Sequence, residues 1–127
     1  MPTKILCIDD SRMVHMVVTK TLRALDVEVI TAVNGQEGIE KAELESPDLI
    51  LLDATMPVMD GIETLAALKG NPATKDIPVV MLSADSTSDD LEKARQYGAL
   101  KFFSKPFTGD DLVNGLSRYI QLGQKAA

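Results

Sequence analysis

The sequence has one cysteine, Cys7, one histidine, His15, and no tryptophan. A single cysteine excludes an intrachain disulfide and a multi-cysteine metal site, and a single histidine excludes a histidine-rich metal site. No apolar run approaches the roughly 18 residues of a membrane span, and the N-terminus lacks the pattern of a signal peptide. The net charge of −6 argues against binding to the DNA backbone. We therefore expect a cytoplasmic protein without direct nucleic-acid or membrane partners.

What is present is the composition of an ordinary globular protein, with 45% hydrophobic and 25% charged residues in 127. No linker or low-complexity tract interrupts the chain, so we predict one domain over residues 1–127. Apolar runs of strand length alternate with helix-like segments, which is typical of an α/β domain. The strands are predicted at 5–8, 27–32, 49–52, 77–82 and 100–103, and the helices at 11–25, 36–45, 62–69, 88–97 and 109–122.

The apolar residues are nearly continuous in the first, third and fourth predicted strands. Such runs are expected where helices cover both faces of a parallel sheet. In the first helix the stripe of Val14, Val18, Leu22 and Leu25 follows the helical repeat, and Ser11 is placed to cap its start. Right-handed crossovers favour a doubly wound, five-stranded sheet with the order 2-1-3-4-5.

Carboxylates follow two of these strands. Asp9 and Asp10 come after the first, and Asp53 comes after the third. In the predicted order these strands are neighbours, and their C-terminal ends open onto the crevice where such sheets bind ligands. Three negative charges at one sheet edge repel each other unless a cation joins them, and Mg²⁺ is the natural candidate.

The same edge receives Ser83 after the fourth strand and Lys105 after the fifth. A tetrahedral oxyanion that bridges the cation, the Ser83 hydroxyl and the Lys105 ammonium would neutralise the charges in the crevice. The arrangement predicts a site for a phosphoryl group without a phosphate-binding glycine loop.

These motifs are Asp9-Asp10, the stretch DATMPVMDG from Asp53 to Gly61, Ser83-Ala84, and Lys105-Pro106-Phe107. Together they resemble the receiver domain of bacterial response regulators, in particular a stand-alone member of the CheY-like kind. The resemblance implies a flavodoxin-like (βα)5 fold and a role in two-component signal transduction, of which chemotaxis is one example. It also implies a regulatory domain that catalyses only its own phosphorylation and dephosphorylation, not a turnover enzyme.

The resemblance further implies that Asp53 is phosphorylated by the phosphohistidine of a sensor histidine kinase or phosphotransfer protein. Asp10 would coordinate Mg²⁺ directly and Asp9 through water, with Asp53 and the backbone carbonyl of Thr55 as further ligands. Lys105 would pair with Asp53 before the reaction and with the phosphoryl oxygens after it.

Switching is implied by the same resemblance. Ser83 would move to the phosphoryl oxygens, Phe102 would swing inward, and the face formed by the fourth helix, fifth strand and fifth helix would change for a downstream target protein. Phe102 stands where tyrosine is frequent, so a hydrogen bond from a tyrosine hydroxyl is missing here. The Lys105-Pro106 bond is expected to be cis.

Other interpretations of the residues remain open. A phosphatase with an aspartate nucleophile would need a second acid two residues after the nucleophile of the first strand, where Ser11 stands. An FMN carrier would need a phosphate loop after the first strand, where Asp9 and Asp10 would repel phosphate. A receiver that binds partners without phosphorylation is a third alternative.

Three further residues have ordinary structural interpretations or none. His15 is predicted to be a partly exposed surface residue, and Cys7 is predicted to be a buried thiol. Gly115, within the fifth helix, has no explanation in the sequence.

Overall fold

The computed structural model describes residues 3–25, 27–54, 59–83, 88–104 and 108–116. Strands and helices alternate along the chain, as the apolar pattern predicts. Five parallel strands form one sheet in the order β2-β1-β3-β4-β5, which confirms the predicted fold. The strands are β1 Thr3–Ile8, β2 Val27–Ala32, β3 Leu49–Asp53, β4 Val79–Ser83 and β5 Lys101–Ser104.

The five helices are α1 Arg12–Arg23, α2 Gly35–Glu45, α3 Gly61–Lys69, α4 Ser88–Gln96 and α5 Gly109–Leu116. The first was predicted to reach Leu25, which was wrong: Leu25 donates its N–H to the Leu22 carbonyl in a tight turn that ends the helix. Leu25 still packs against the core, so the apolar stripe continues beyond the end of the helix. The predicted end of the fifth helix lies outside the described residues.

The fourth strand begins at Val79, two residues later than predicted. Ile77 is apolar, but its N–H donates to the Thr74 carbonyl in the preceding turn. Pro78 has no N–H to give to a neighbouring strand. The fifth strand likewise begins at Lys101 instead of Leu100.

Side-chain caps fix where the helices start. The Ser11 hydroxyl accepts the Val14 N–H at 3.4 Å, as predicted. Asp60 and Glu63 form a capping box, in which the Asp60 carboxylate accepts the Glu63 N–H at 2.8 Å. An acidic residue followed three positions later by Glu is the sequence signature of such a box.

The hydrophobic core has two halves, one on each face of the sheet. Side chains of α1 and α5 pack on one face, and side chains of α2, α3 and α4 pack on the other. β1, β3 and β4 are buried on both faces because each contributes alternate residues to the two halves. Cys7 is fully buried in the α1/α5 half, as expected for a structural thiol. None of the described helices is both long and apolar enough to cross a membrane.

The Lys69 ammonium orders the segment that leads into β4. It donates hydrogen bonds to the carbonyls of Lys75 at 3.1 Å and Ile77 at 2.8 Å. Partial burial lowers the pKa of Lys69 below its usual value, and the nearby Asp76 carboxylate opposes that change. Through these bonds Lys69 holds the segment before β4 against the end of α3.

Gly115 lies where α5 crosses the Phe103 ring. A Cβ at this position would lie 2.1 Å from Phe103 Cζ and 2.3 Å from Cε1. Phe103 and Gly115 are both buried, so the ring has little room to move. The glycine that the sequence left unexplained is therefore needed for close helix-to-sheet packing.

We expect Gly115→Ala to lower the free energy of unfolding by about 1–3 kcal/mol, because the new methyl overpacks the core. Helix propensity alone predicts the opposite sign, a gain of about 1 kcal/mol. Urea unfolding followed by circular dichroism measures the difference. In a Phe103→Leu background the same change should be much less destabilising, and an equal effect in both backgrounds would contradict the proposed contact.

Candidate functional site

The ends of β1 and β3 bring the acidic residues together. Ile8 lies opposite Leu52 in the register of these neighbouring strands. Asp9 follows Ile8 and Asp53 follows Leu52, so the two aspartates lie side by side at the C-terminal ends of the strands. This is the point where the strand order reverses, and a crevice beyond the strand ends is the usual ligand site in such sheets.

One carboxylate oxygen from each of Asp9, Asp10 and Asp53 lies within 4.8 Å of those of the other two. Asp9 is fully buried, Asp53 is 4% exposed, and Asp10 is exposed. The cluster therefore has two carboxylates inside the protein and one at its surface. It is the sole group of potential metal ligands of this size among the described residues.

Backbone hydrogen bonds hold Asp9 in place. Its Oδ1 accepts the Ser11 N–H at 2.9 Å, and its own N–H donates to the Ala32 carbonyl at the end of β2 at 3.0 Å. Ser11 also caps α1. The start of α1 and the carboxylate are thus fixed by the same short segment.

The charges of the cluster require compensation. Two unit charges about 4 Å apart interact by about 4 kcal/mol at an effective dielectric constant near 20. Three hard oxygen donors at this spacing suit Mg²⁺, which binds carboxylates and water oxygens at about 2.1 Å. The donor set contains neither sulfur nor nitrogen, which favours Mg²⁺ over zinc or copper. The residues therefore fit the metal that the sequence predicted.

His15 contributes a contact that sequence reasoning missed. Its Nε2 forms a hydrogen bond with the backbone carbonyl of Asp9, and because a carbonyl only accepts, Nε2 carries the hydrogen. The side chain is half-buried, in agreement with the predicted surface position on α1. No sequence signal announces this bond, since it depends on how the chain turns between Asp9 and α1.

Ser83 lies at the end of the neighbouring strand β4 and is 4% exposed. The preceding residue, Leu82, lies opposite Asp53, and the Leu82 carbonyl accepts the Ala54 N–H at 2.8 Å. Ser83 therefore follows the strand position that pairs with Asp53.

Phe102, on β5, is partly buried against the core half formed with α2, α3 and α4. The predicted roles of Thr55, Lys105 and Pro106 fall outside the described residues.

Gly61, the first residue of α3, touches the backbone of the Asp53 segment. Its N–H donates to the Ala54 carbonyl at 3.0 Å. A Cβ at this position would lie 2.3 Å from the Asp53 carbonyl oxygen and 2.6 Å from Ala54 Cα. Glycine is needed here because only a residue without a Cβ leaves space for this close approach of the two backbones.

Comparison with known proteins finds the same family by sequence and by structure. Residues 5–117 match the profile of the response regulator receiver domain. The chain is 32% identical over 117 residues to protein PilG of Pseudomonas aeruginosa, an alignment that covers 92% of this chain and 87% of that protein. Several other relatives are longer, and the chain spans 54% or less of their length.

Solved structures agree with the sequence matches. The chemotaxis protein CheY4 of Vibrio cholerae superposes with a TM-score of 0.89 at 32% identity, covering 94% of this chain and 100% of that chain. A receiver domain of a sensor histidine kinase from Pseudomonas aeruginosa superposes with a TM-score of 0.85 at 27% identity, covering 94% and 98%. That structure holds a magnesium ion coordinated in its active site cleft.

Proposed function

The chain belongs to the response regulator receiver domain family of two-component signal transduction, and we therefore propose that Asp53 accepts a phosphoryl group from the phosphohistidine of a sensor histidine kinase or phosphotransfer protein. The observation that carries this proposal is the convergence of Asp9, Asp10 and Asp53 within 4.8 Å. Asp53 sits at the end of a fully buried strand, so its position is set by the core.

In the proposed reaction an Asp53 carboxylate oxygen attacks the phosphorus atom. The new O–P bond forms as the N–P bond of the phosphohistidine breaks, and the electron pair of that bond leaves with the imidazole. A phosphoryl group carries negative charge, so it approaches this acidic cluster only when the charge is compensated. Bound Mg²⁺ would supply that compensation and act as a Lewis acid on the phosphoryl oxygens.

Asp9 and Asp10 would hold the metal together with Asp53. Asp9 is buried and held by backbone hydrogen bonds, whereas Asp10 is exposed. This difference supports separate roles, with Asp10 free to coordinate an ion that enters from solvent and Asp9 acting through water. The Thr55 carbonyl is the further ligand that family membership suggests.

Ser83 and Lys105 complete the proposed phosphoryl site. Ser83 follows the residue that pairs with Asp53, which supports its role as a hydroxyl donor to a phosphoryl oxygen. Lys105 follows β5 by one residue and would supply the ammonium. The chain would then act as a phosphoryl-accepting regulatory domain, with no substrate turned over.

Phosphorylation would be transmitted through β4 and β5. Ser83 and Ser104 are opposite each other in the strand register, and Phe102 lies two residues before Ser104. A shift of Ser83 toward the phosphoryl group would open space for the Phe102 ring, and the face of α4, β5 and α5 would change for a downstream target. Phosphorylation would then shift the population of the chain between two conformations of this face.

Mg²⁺ binding gives a test that needs no phosphoryl donor. We expect Asp10→Asn to weaken Mg²⁺ binding by at least about tenfold, because a charged ligand becomes neutral. Isothermal titration calorimetry with MgCl₂ measures the affinity. Glu28→Gln is the matched control, since Glu28 is exposed on β2 and lies opposite Lys4, near the other end of the sheet. Equal affinities in Asp10→Asn and the control would reject Asp10 as a ligand.

Phosphorylation itself is tested with acetyl phosphate and Mg²⁺, followed by intact-mass spectrometry. The proposal predicts the addition of one phosphoryl group, and removal of Mg²⁺ by a chelator should prevent it. Steady release of phosphate from aryl phosphates at enzymatic rates would instead favour the phosphatase. If no phosphoryl donor modifies the chain although it is folded and binds Mg²⁺, a receiver that works without phosphorylation would be favoured.

A further inference from the structure

His15 ties the start of α1 to the acidic cluster. Its Nε2–H donates to the Asp9 carbonyl, and its backbone N–H donates to the Ser11 carbonyl at 3.2 Å in the first turn of the helix. Side chains on a helix lean toward its N-terminus, so a residue in the first turn of α1 can reach the segment that precedes the helix. His15 is half-buried, whereas Arg12 and Met13 in the same turn are exposed. The imidazole is therefore held between α1 and the residues that follow β1.

The Asp9 carbonyl belongs to the peptide unit that joins Asp9 to Asp10. That unit is planar, so a hydrogen bond to its oxygen fixes the orientation of the whole plane, including the nitrogen and Cα of Asp10. Two other bonds fix the chain on either side of Asp10. The Asp9 N–H donates to the Ala32 carbonyl at 3.0 Å, and the Ser11 N–H donates to Asp9 Oδ1 at 2.9 Å. The bond from His15 acts on the peptide unit between them.

Asp10 is the member of the cluster with the least support of its own. It is exposed, whereas Asp9 and Asp53 are buried. Within the part of the chain that the structure describes, its carboxylate accepts no hydrogen bond and joins no ion pair, whereas Asp9 accepts the Ser11 N–H. Ordering a ligand side chain on binding costs conformational entropy, which weakens the affinity. The affinity for a metal therefore depends on where the backbone places the Asp10 side chain.

We propose that His15 is a positioning residue of the metal site, which holds the Asp9–Asp10 peptide plane so that the Asp10 carboxylate stays close to those of Asp9 and Asp53. This role rests on the proposed function, in which the three carboxylates bind Mg²⁺. The Nε2 of His15 cannot also be a metal ligand, because the nitrogen that donates to a carbonyl has no free lone pair. Capping of α1 does not explain the contact, since the Ser11 hydroxyl already caps the helix.

The affinity for Mg²⁺, measured by isothermal titration calorimetry with MgCl₂, tests this role. We expect His15→Leu, which fills a similar space without a donor, to bind Mg²⁺ about fivefold more weakly, the effect of losing one hydrogen bond. Glutamine carries its amide nitrogen as many bonds from Cα as the Nε2 of histidine, so His15→Gln should restore most of the affinity. Asparagine carries its amide nitrogen one bond closer to Cα, so His15→Asn should bind as weakly as His15→Leu.

The matched control is Thr19→Leu. Thr19 is also half-buried, lies one turn further along α1 and is absent from the acidic cluster. This variant should bind Mg²⁺ as the unaltered chain does. Circular dichroism and urea unfolding without Mg²⁺ verify that each variant is folded, so that a lower affinity is not mistaken for a loss of structure.

Two measurements on the Mg²⁺-free chain separate positioning from a merely structural role. The ¹⁵N resonances of the imidazole show which ring nitrogen carries hydrogen, and we expect Nε2 to do so. The ¹⁵N relaxation of the Asp10 amide reports how firmly the peptide plane is held. We expect a lower order parameter for this amide in His15→Leu and His15→Asn than in the unaltered chain, and a value near that of the unaltered chain in His15→Gln.

Equal affinities of His15→Leu and Thr19→Leu, with Mg²⁺ bound by the unaltered chain, would overturn the positioning role and leave the metal site in place. An Nε2 without hydrogen would overturn it too, as would equal weakening in His15→Leu and His15→Gln. If the unaltered chain bound no Mg²⁺, the metal site of the proposed function and the positioning role would be rejected together.

Discussion

Asp53→Asn is expected to abolish phosphorylation by acetyl phosphate or by a phosphorylated histidine kinase, with a loss of at least about a hundredfold. The amide that replaces the carboxylate is a poor nucleophile, whereas its size and shape are nearly the same. Asp53 is 4% exposed at the end of a buried strand, so the isosteric change should leave the fold intact. Intact-mass spectrometry after incubation with Mg²⁺ and donor measures the extent of modification.

Glu28→Gln is again the control, because it removes one negative charge from an exposed site away from the strand ends. It should be phosphorylated as fast as the unaltered chain. Equal modification of Asp53→Asn and the control would place the phosphoryl group elsewhere. A shift of the modification to Asp9 or Asp10 in the Asp53→Asn chain would show that the cluster, and not one residue, defines the acceptor.

Gly61→Ala is expected to lower the free energy of unfolding by at least about 3 kcal/mol and Tm by roughly 10 °C. The added Cβ would lie 2.3 Å from the Asp53 carbonyl oxygen and 2.6 Å from Ala54 Cα. Both are backbone atoms, so they move only if β3 or the start of α3 moves. Such a shift would also displace Asp53, and we expect slower phosphorylation of the folded fraction. Thermal unfolding and the rate of mass gain measure the two effects.

Gly70→Ala is the matched substitution at the other end of α3. There the nearest atom to the added Cβ, the Ala66 carbonyl oxygen, lies at 3.2 Å, and the backbone angles are those of a right-handed helix. It should change stability by no more than about 1 kcal/mol. If the two variants were equally stable, the close approach of α3 to the Asp53 segment would play no part in stability.

Much of the fold follows from the sequence because burial on both faces of the sheet imposes a strong pattern. The apolar runs of β1, β3 and β4 are covered by helices on both faces, so nearly all of their residues are apolar and the strands are easy to recognise in the sequence. Helix and strand ends were less accurate. Ile77 and Leu25 are apolar and pack against the core, but local turn bonds exclude them from β4 and α1.

The acidic cluster could be predicted because strand ends carry their side chains to a common edge once the strand order is known. Contacts that depend on the path of a loop could not. The hydrogen bond from His15 to the Asp9 carbonyl and the approach of Gly61 to the Asp53 carbonyl both depend on chain turns that no residue pattern encodes. The contact between Gly115 and Phe103 likewise needs the packing of α5 on the sheet.

Trapping the modified residue after phosphorylation tests directly whether Asp53 is the acceptor. Borohydride reduces an acyl phosphate to the alcohol and releases phosphate, so an aspartyl phosphate becomes homoserine, which tandem mass spectrometry locates in the sequence. We expect homoserine at position 53 alone, and only when Mg²⁺ was present during phosphorylation. Homoserine at another position, or a phosphoryl group that resists borohydride, would contradict it.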